Sequence, residues 1–222
     1  MSRLRRFLIS LSAVGILAVV SAAAHADTIT VVGVGSGNAS TATVVCEFNA
    51  ATNTFTFTIT NTSNITSPGS TSTITGIGFD LPPIGNASNS GLNGFTGMQA
   101  PSMSSTFDFS DGNLGNVPVG FNNVVLDFGF TTGPSGNFNG GSPNDGLAPG
   151  ESASFIVTGA AFTGFTDEEI CNAIFVRFQN TPITGSDVGV PSSQVPEPST
   201  MLLLGTALVG LGGVIRRRRK RQ

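Results

Sequence analysis

The sequence predicts an all-β protein, an antiparallel β-sandwich of about eight strands with one short helix near residues 166–172. Three observations carry this. Apolar and polar residues alternate with a period of two in several runs between residues 27 and 190, the pattern of strands with one dry and one wet face. Clusters of Gly, Pro, Asn and Ser punctuate those runs with turn chemistry. The chain has 17 Phe but no Trp and no Tyr, so Phe must supply the aromatic core.

The elements follow in order. Residues 28–34 form a first strand. In the second, Val44, Cys46 and Phe48 alternate with Val45 and Glu47. The clearest is 54–60, where Phe55, Phe57 and Ile59 share one face and four threonines the other. Ile74, Ile77 and Phe79 form a fourth strand interrupted by Gly76 and Gly78, which suggests a bulge. Further strands are expected over 105–109, 123–130, 152–158 and 173–179. Residues 66–72, 82–97, 111–120 and 132–150 read as loops, the last long enough to expect poor order. Thr166-Asp167-Glu168-Glu169 is a capping box with acids at the positive end of a helix that runs to about Asn172.

Cys46 and Cys171 are the two cysteines. In an exported chain such a pair reads first as a disulfide, which would pin the helix to an early strand; two buried free thiols are the alternative.

Both ends read as processing segments. Residues 1–26 hold a basic stretch with Arg3, Arg5 and Arg6, an apolar run from Phe7 to Ala24, and Ala24-His25-Ala26. This is a secretory signal peptide with cleavage expected after Ala26, or else an uncleaved anchor helix. It implies export through the Sec machinery. At the other end stand Val195-Pro196-Glu197-Pro198, an apolar run over 201–215, and Arg216, Arg217, Arg218, Arg219, Lys220 and Arg221. The run would make a helix of about 22 Å at 1.5 Å per residue, which spans a hydrocarbon core of about 30 Å with snorkelling and local thinning. The six cations stop transfer and stay cytoplasmic, leaving the domain outside. Between domain and tail, 191–195 form a short polar linker that continues from 185–190. The organisation is thus a signal peptide (1–26), a β-sandwich domain (27–190), a linker (191–195) and a tail (196–222).

This tail resembles the PEP-CTERM sorting signal, with Pro196, Glu197 and Pro198 as the motif, the Leu/Gly-rich run as the helix and the Arg cluster after it. A bare tail anchor would explain the run and the charges but not the Pro-Glu-Pro. The resemblance implies an inner-membrane exosortase as partner. That enzyme would recognise the motif and process the chain near it, so that residues 201–215 anchor the protein only transiently. The family association with exopolysaccharide and biofilm implies a cell-surface or matrix role; that the domain is not an enzyme is expected from its lack of His and of a catalytic constellation. A carbohydrate-binding or adhesive module is the alternative, and a carboxylate-based hydrolase a more distant one.

Composition limits the chemistry of the middle. Without the two ends the domain holds one basic residue, Arg177, against twelve Asp and Glu, a net charge of −11. Such a surface repels phosphate backbones, so no nucleic-acid partner is expected. The only His is His25, in the leader. A mature domain without His lacks the imidazole base of serine and cysteine nucleophiles and the usual zinc ligand, and no catalytic residue, metal or cofactor is expected. Carboxylates remain. Asp108 with Asp111, or Asp167, Glu168 and Glu169, would suit glycosidic cleavage if two converged at the right spacing, but turn and capping roles explain them as well. Asp108, Asp111, Asn113, Asn144 and Asp145 offer oxygens for calcium, without the spacing of a known loop. The sequons at Asn38, Asn61, Asn64 and Asn86 are of the kind a Ser/Thr/Asn-rich chain yields by chance. Arg177 is expected to pair with a carboxylate on a strand face, or to receive an acidic ligand.

Overall fold

The computed structural model describes residues 26–64, 69–82, 92–100, 106–114, 124–133, 137–138 and 141–192. The chain divides into two units, 1–192 and 193–222, and every described residue lies in the first.

That unit is all-β and antiparallel. Its strands are β1 (Asp27–Gly33), β2 (Gly37–Asn49), β3 (Thr54–Asn61), β4 (Thr73–Phe79), β5 (Phe95–Gln99), β6 (Asp108–Leu114), β7 (Leu126–Thr131), β8 (Ser152–Gly159), β9 (Ile174–Thr181) and β10 (Gly185–Pro191). A 3-10 turn at Ala160–Phe162 and one helix, α1 (Asp167–Asn172), lie between β8 and β9. All ten strands join one sheet in the order β5-β8-β3-β2-β1-β10-β9-β4-β7-β6.

This corrects the expected eight-stranded sandwich. Two strands lie in segments read as loop or linker: β5 inside the Gly/Asn-rich 82–97 region and its edge, and β10 over 185–191. β10 changes the architecture. It inserts between β9 and β1, so the halves that would have been separate sheets become one, joined by Val31↔Pro191, Val32↔Val190 and Gly33↔Gly189. Ser192 extends the contact, donating from N and Oγ to the Thr30 carbonyl at 2.8 and 3.1 Å. β6 likewise runs through Leu114 into the expected 111–120 loop.

The sheet rolls until its end strands, β5 and β6, meet and all but close a barrel. No ladder joins them. The Asp111 carboxylate accepts the Gly94 and Phe95 N–H groups at 2.9 and 3.0 Å, and Gln99 Oε1 accepts the Phe107 N–H at 2.9 Å. The Phe109 ring lies over the backbone of Gly97, where any side chain would collide with it. Side chains thus bridge an edge that would otherwise expose unpaired backbone.

The interior is the Phe core that composition required. Phe57 of β3 meets Phe79 of β4 at 5.1 Å and Phe130 of β7 at 6.0 Å between ring centroids, across the barrel, and Phe155 of β8 at 5.0 Å beside it. The outer face of β4, β7 and β9 carries a second apolar cluster of Leu114, Leu126, Phe138 and Val188, with Val124 and Phe175 against it. Gly76 and Gly78 make room for it: a Cβ at Gly78 would lie 2.6 Å from Leu126, and one at Gly76 3.4 Å from Phe138. The bulge expected here is present, with the register shifting between Ile74 and Gly76 so that Ile77 and Phe79 return to the core.

The segment 132–150, expected to be poorly ordered, is pinned where it is described. Leu147 bridges Ile74, Phe138 is fully buried, and Thr132 and Ser142 exchange hydrogen bonds at 3.0 and 3.1 Å.

The helix and disulfide are as expected. Thr166 Oγ1 accepts the Glu169 N–H, and the Glu169 carboxylate accepts the Thr166 N–H, completing the capping box. Cys171 of α1 is bonded to Cys46 of β2, with Cα atoms 6.0 Å apart and a separation of 125 positions in sequence. Among the described residues no helix is long and apolar enough to cross a membrane. The helices expected over the leader and over 201–215 lie outside the described residues.

Candidate functional site

The described cleft lies at the α1 end of the barrel. It has a volume of about 360 Å³ and is lined by Asp80, Pro82, Glu168, Glu169, Asn172 and Ala173. α1 contributes its exposed acidic face, since Ile170 and Cys171 on the opposite face are buried against the sheet. Asp80 follows the last residue of β4. Three carboxylates, those of Asp80, Glu168 and Glu169, therefore border one cleft.

Glu169 is held below the ordinary range by the backbone and side chain of Thr166, because the capping bonds favour the charged form. Asp80 is pushed up by burial, against which the Val125 backbone bond works. Behind it, in β7, lies Asp127, wholly buried. Burial pushes Asp127 up to about 6; the Leu81 and Leu92 backbone bonds oppose this, and the Asp80 charge adds to it. Its two oxygens are engaged. Oδ2 accepts the Leu81 N–H at 2.7 Å and Oδ1 accepts the Leu92 N–H. Asp127 therefore ties down both flanks of residues 83–91.

A second buried carboxylate closes the opposite end. Asp187 of β10 accepts from the N–H groups of Gly35 (3.0 Å), Ser36 (2.7 Å) and Val188 (2.8 Å), and from Ser36 Oγ. Ser36 Oγ bonds Ser40 Oγ at 2.7 Å, and Ser40 Oγ pairs with Ser72 Oγ at 3.1 Å. This chain fixes the β1–β2 turn to β10 and to the residue before β4.

The carboxylates singled out from the sequence are dispersed. Asp108 is exposed at the start of β6, and Asp111 is committed to the seam. Asn113 also lies on β6, while Asn144 and Asp145 are exposed in the turn before Leu147. Asp167, Glu168 and Glu169 do share one turn, as expected. Among the described residues no three His, Cys, Asp or Glu side chains gather as a metal site. Arg177 is not on an open strand face: it is buried, with Asp187 as the carboxylate acting on it. Asp127 and Asp187 were missed. The available signal was an acid set directly among apolar residues, as in Leu126-Asp127-Phe128 and Asp187-Val188.

Ala26 is described and exposed, and β1 begins at Asp27, so the expected cut falls at the edge of the first strand. Ala24, the motif residues Pro196, Glu197 and Pro198, and the cations Arg216–Arg219, Lys220 and Arg221 lie outside the described residues. Comparison with curated proteins and with solved structures finds no match. Comparison with family models finds one over residues 194–219, described as the PEP-CTERM protein-sorting motif. The matched stretch opens two residues beyond Ser192, the last of the described residues, and contains Pro196-Glu197-Pro198 and Arg216–Arg219. The chain therefore carries a PEP-CTERM sorting motif, the mark of an exported protein that an exosortase sorts at the membrane.

Proposed function

We propose that this is a non-enzymatic protein of the cell surface or extracellular matrix. It is exported through the Sec machinery, held briefly in the inner membrane by 201–215, and then released from that anchor by exosortase processing near Pro196-Glu197-Pro198. Its barrel serves as a matrix component associated with exopolysaccharide and biofilm. The observation that carries this reading is the sorting motif at 194–219. The barrel is consistent with it: Asp111, Asp127, Asp187 and Glu169 hold the fold through hydrogen bonds, which leaves them poorly placed as proton-transfer groups.

Cell fractionation with intact-mass measurement tests it. The wild type should lose both ends and appear at the surface or in the medium, while Glu197→Ala should stay full length at its C-terminal side and in the inner membrane. Unchanged mass and location for Glu197→Ala would sink the reading.

One observation favours a carbohydrate-binding or adhesive module. The outer faces of β3 and β8 form a hydroxyl sheet, with Thr58 and Thr60 bonded to Ser154 and Ser152 at 2.7 Å and Thr54 in register with Thr158. There is no Trp or Tyr to stack on sugar rings; beside its hydroxyls this face offers only the exposed Ile156, in register with Thr56. A glycan array without hits removes this alternative.

A further inference from the structure

Three fully buried polar atoms have no hydrogen-bond partner among the described residues: Thr75 Oγ1, Thr131 Oγ1 and Arg177 Nε. They come from three neighbouring strands and gather at one backbone position. Thr131 of β7 and Arg177 of β9 both stand in register with Gly76 of β4. Cross-strand partners share a face and lie about 4.8 Å apart from strand to strand. Thr75 is the bulge residue beside Gly76.

The face is the outer one. Arg177 sits between Val176 and Phe178, both in the interior core, and beside Phe138, Val188 and Phe175 of the outer cluster. Gly76 brings the strands and Phe138 close together there; a Cβ would stand 3.1 Å from Arg177 Cβ and 3.4 Å from the Phe138 ring. Gly141 passes over Thr75, where its own Cβ would come within 2.9 Å. The two threonines are 0% exposed and Arg177 6%.

A buried donor without an acceptor bears its whole desolvation cost, and a donor that belongs to a cation bears more. The carboxylate that acts on Arg177, Asp187, already accepts four hydrogen bonds from Gly35, Ser36 and Val188. What the three groups lack in common is a hydrogen-bond acceptor; beside a guanidinium a negatively charged one binds more strongly, and burial limits its size. We propose that Arg177, Thr75 and Thr131 form a binding site for a small monovalent anion of the halide class, on the outer face of the sheet at Gly76. Arg177 is the only Lys, Arg or His between residues 27 and 192, so no other cationic side chain of the barrel competes for it.

The test uses the full chain purified in detergent and exchanged into sodium gluconate. Calorimetric Tm is followed as chloride replaces gluconate at constant ionic strength. The expected result is a saturable rise in Tm with chloride, as ligand linkage requires. Arg177→Met should abolish the response. Thr131→Val should raise the apparent chloride Kd about tenfold or more, the factor that corresponds to losing one charge-assisted hydrogen bond. A wild-type Tm indifferent to chloride overturns the proposal. So does a Thr131→Val response equal to wild type, which would mean a solvent molecule or nothing occupies the place. Should the variants fail to fold, diffraction from wild-type crystals grown in sodium bromide decides. An anomalous peak beside Arg177 Nε is expected, and a peak-free site refutes the assignment.

Discussion

Asp127 offers the sharpest perturbation, because its two structural roles oppose one another in pH. It is wholly buried, its carboxyl is pushed up to about 6 from an ordinary 3.8, and its oxygens hold the chain at Leu81 and Leu92. A folded-state value above the unfolded one means that the folded protein retains a proton the unfolded chain has released. The stabilisation is therefore complete below about pH 4 and lost as pH rises through about 6. A shift of about two units corresponds to at most about 3 kcal/mol. Asp127→Asn removes the titration but leaves one acceptor oxygen, so either Leu81 or Leu92 would present its N–H to an amide NH₂, at a cost of about 1–3 kcal/mol. Urea denaturation of both proteins from pH 4 to 7.5 measures the difference. Far-UV circular dichroism is the probe, since the chain has no Trp or Tyr for fluorescence. The capping carboxylate Glu169, with its lowered value, works in the opposite sense at acid pH, but it is common to both proteins and cancels. Wild type should lose up to about 3 kcal/mol relative to Asp127→Asn across the range. A difference that is flat, or that grows with pH, would refute the assignment of Asp127 as a buried, proton-retaining clamp.

The other perturbations concern closure of the fold. Cys171→Ser, or reduction of the bond to Cys46, opens a loop of 125 residues and should lower stability by up to about 5 kcal/mol in the chain-entropy model, read from the urea midpoint. Asp111→Ala leaves the Gly94 and Phe95 N–H groups without their acceptor at the seam. It should cost about 1–2 kcal/mol, with faster amide exchange in β5 while β2 and β3 stay protected.

Local signals in the sequence determined much of this molecule. The Thr/Phe alternation over 54–60 specifies β3 wherever its partners lie, because a period of two puts three apolar side chains on one face. The capping box specifies α1 through bonds between residues three apart, and the two Gly in 73–79 marked the bulge. The sorting motif is legible because it is read as a linear string. Tertiary structure alone decided the rest. β5 and β10 contain Gly, Ser and Pro and have no strong pattern of their own; they are strands because β8, β1 and β9 offer them ladders. β10 in turn converts two expected sheets into one rolled sheet. Asp127 and Asp187 look like surface acids in a domain of net charge −11, and only backbone N–H groups distant in sequence, from Leu92 or Gly35, make their burial tolerable. Arg177 was singled out from composition as the one cation of the domain. That it stands buried beside two unpartnered threonines follows from the register of three strands at Gly76, which pairs residues too far apart in sequence for any local pattern to record.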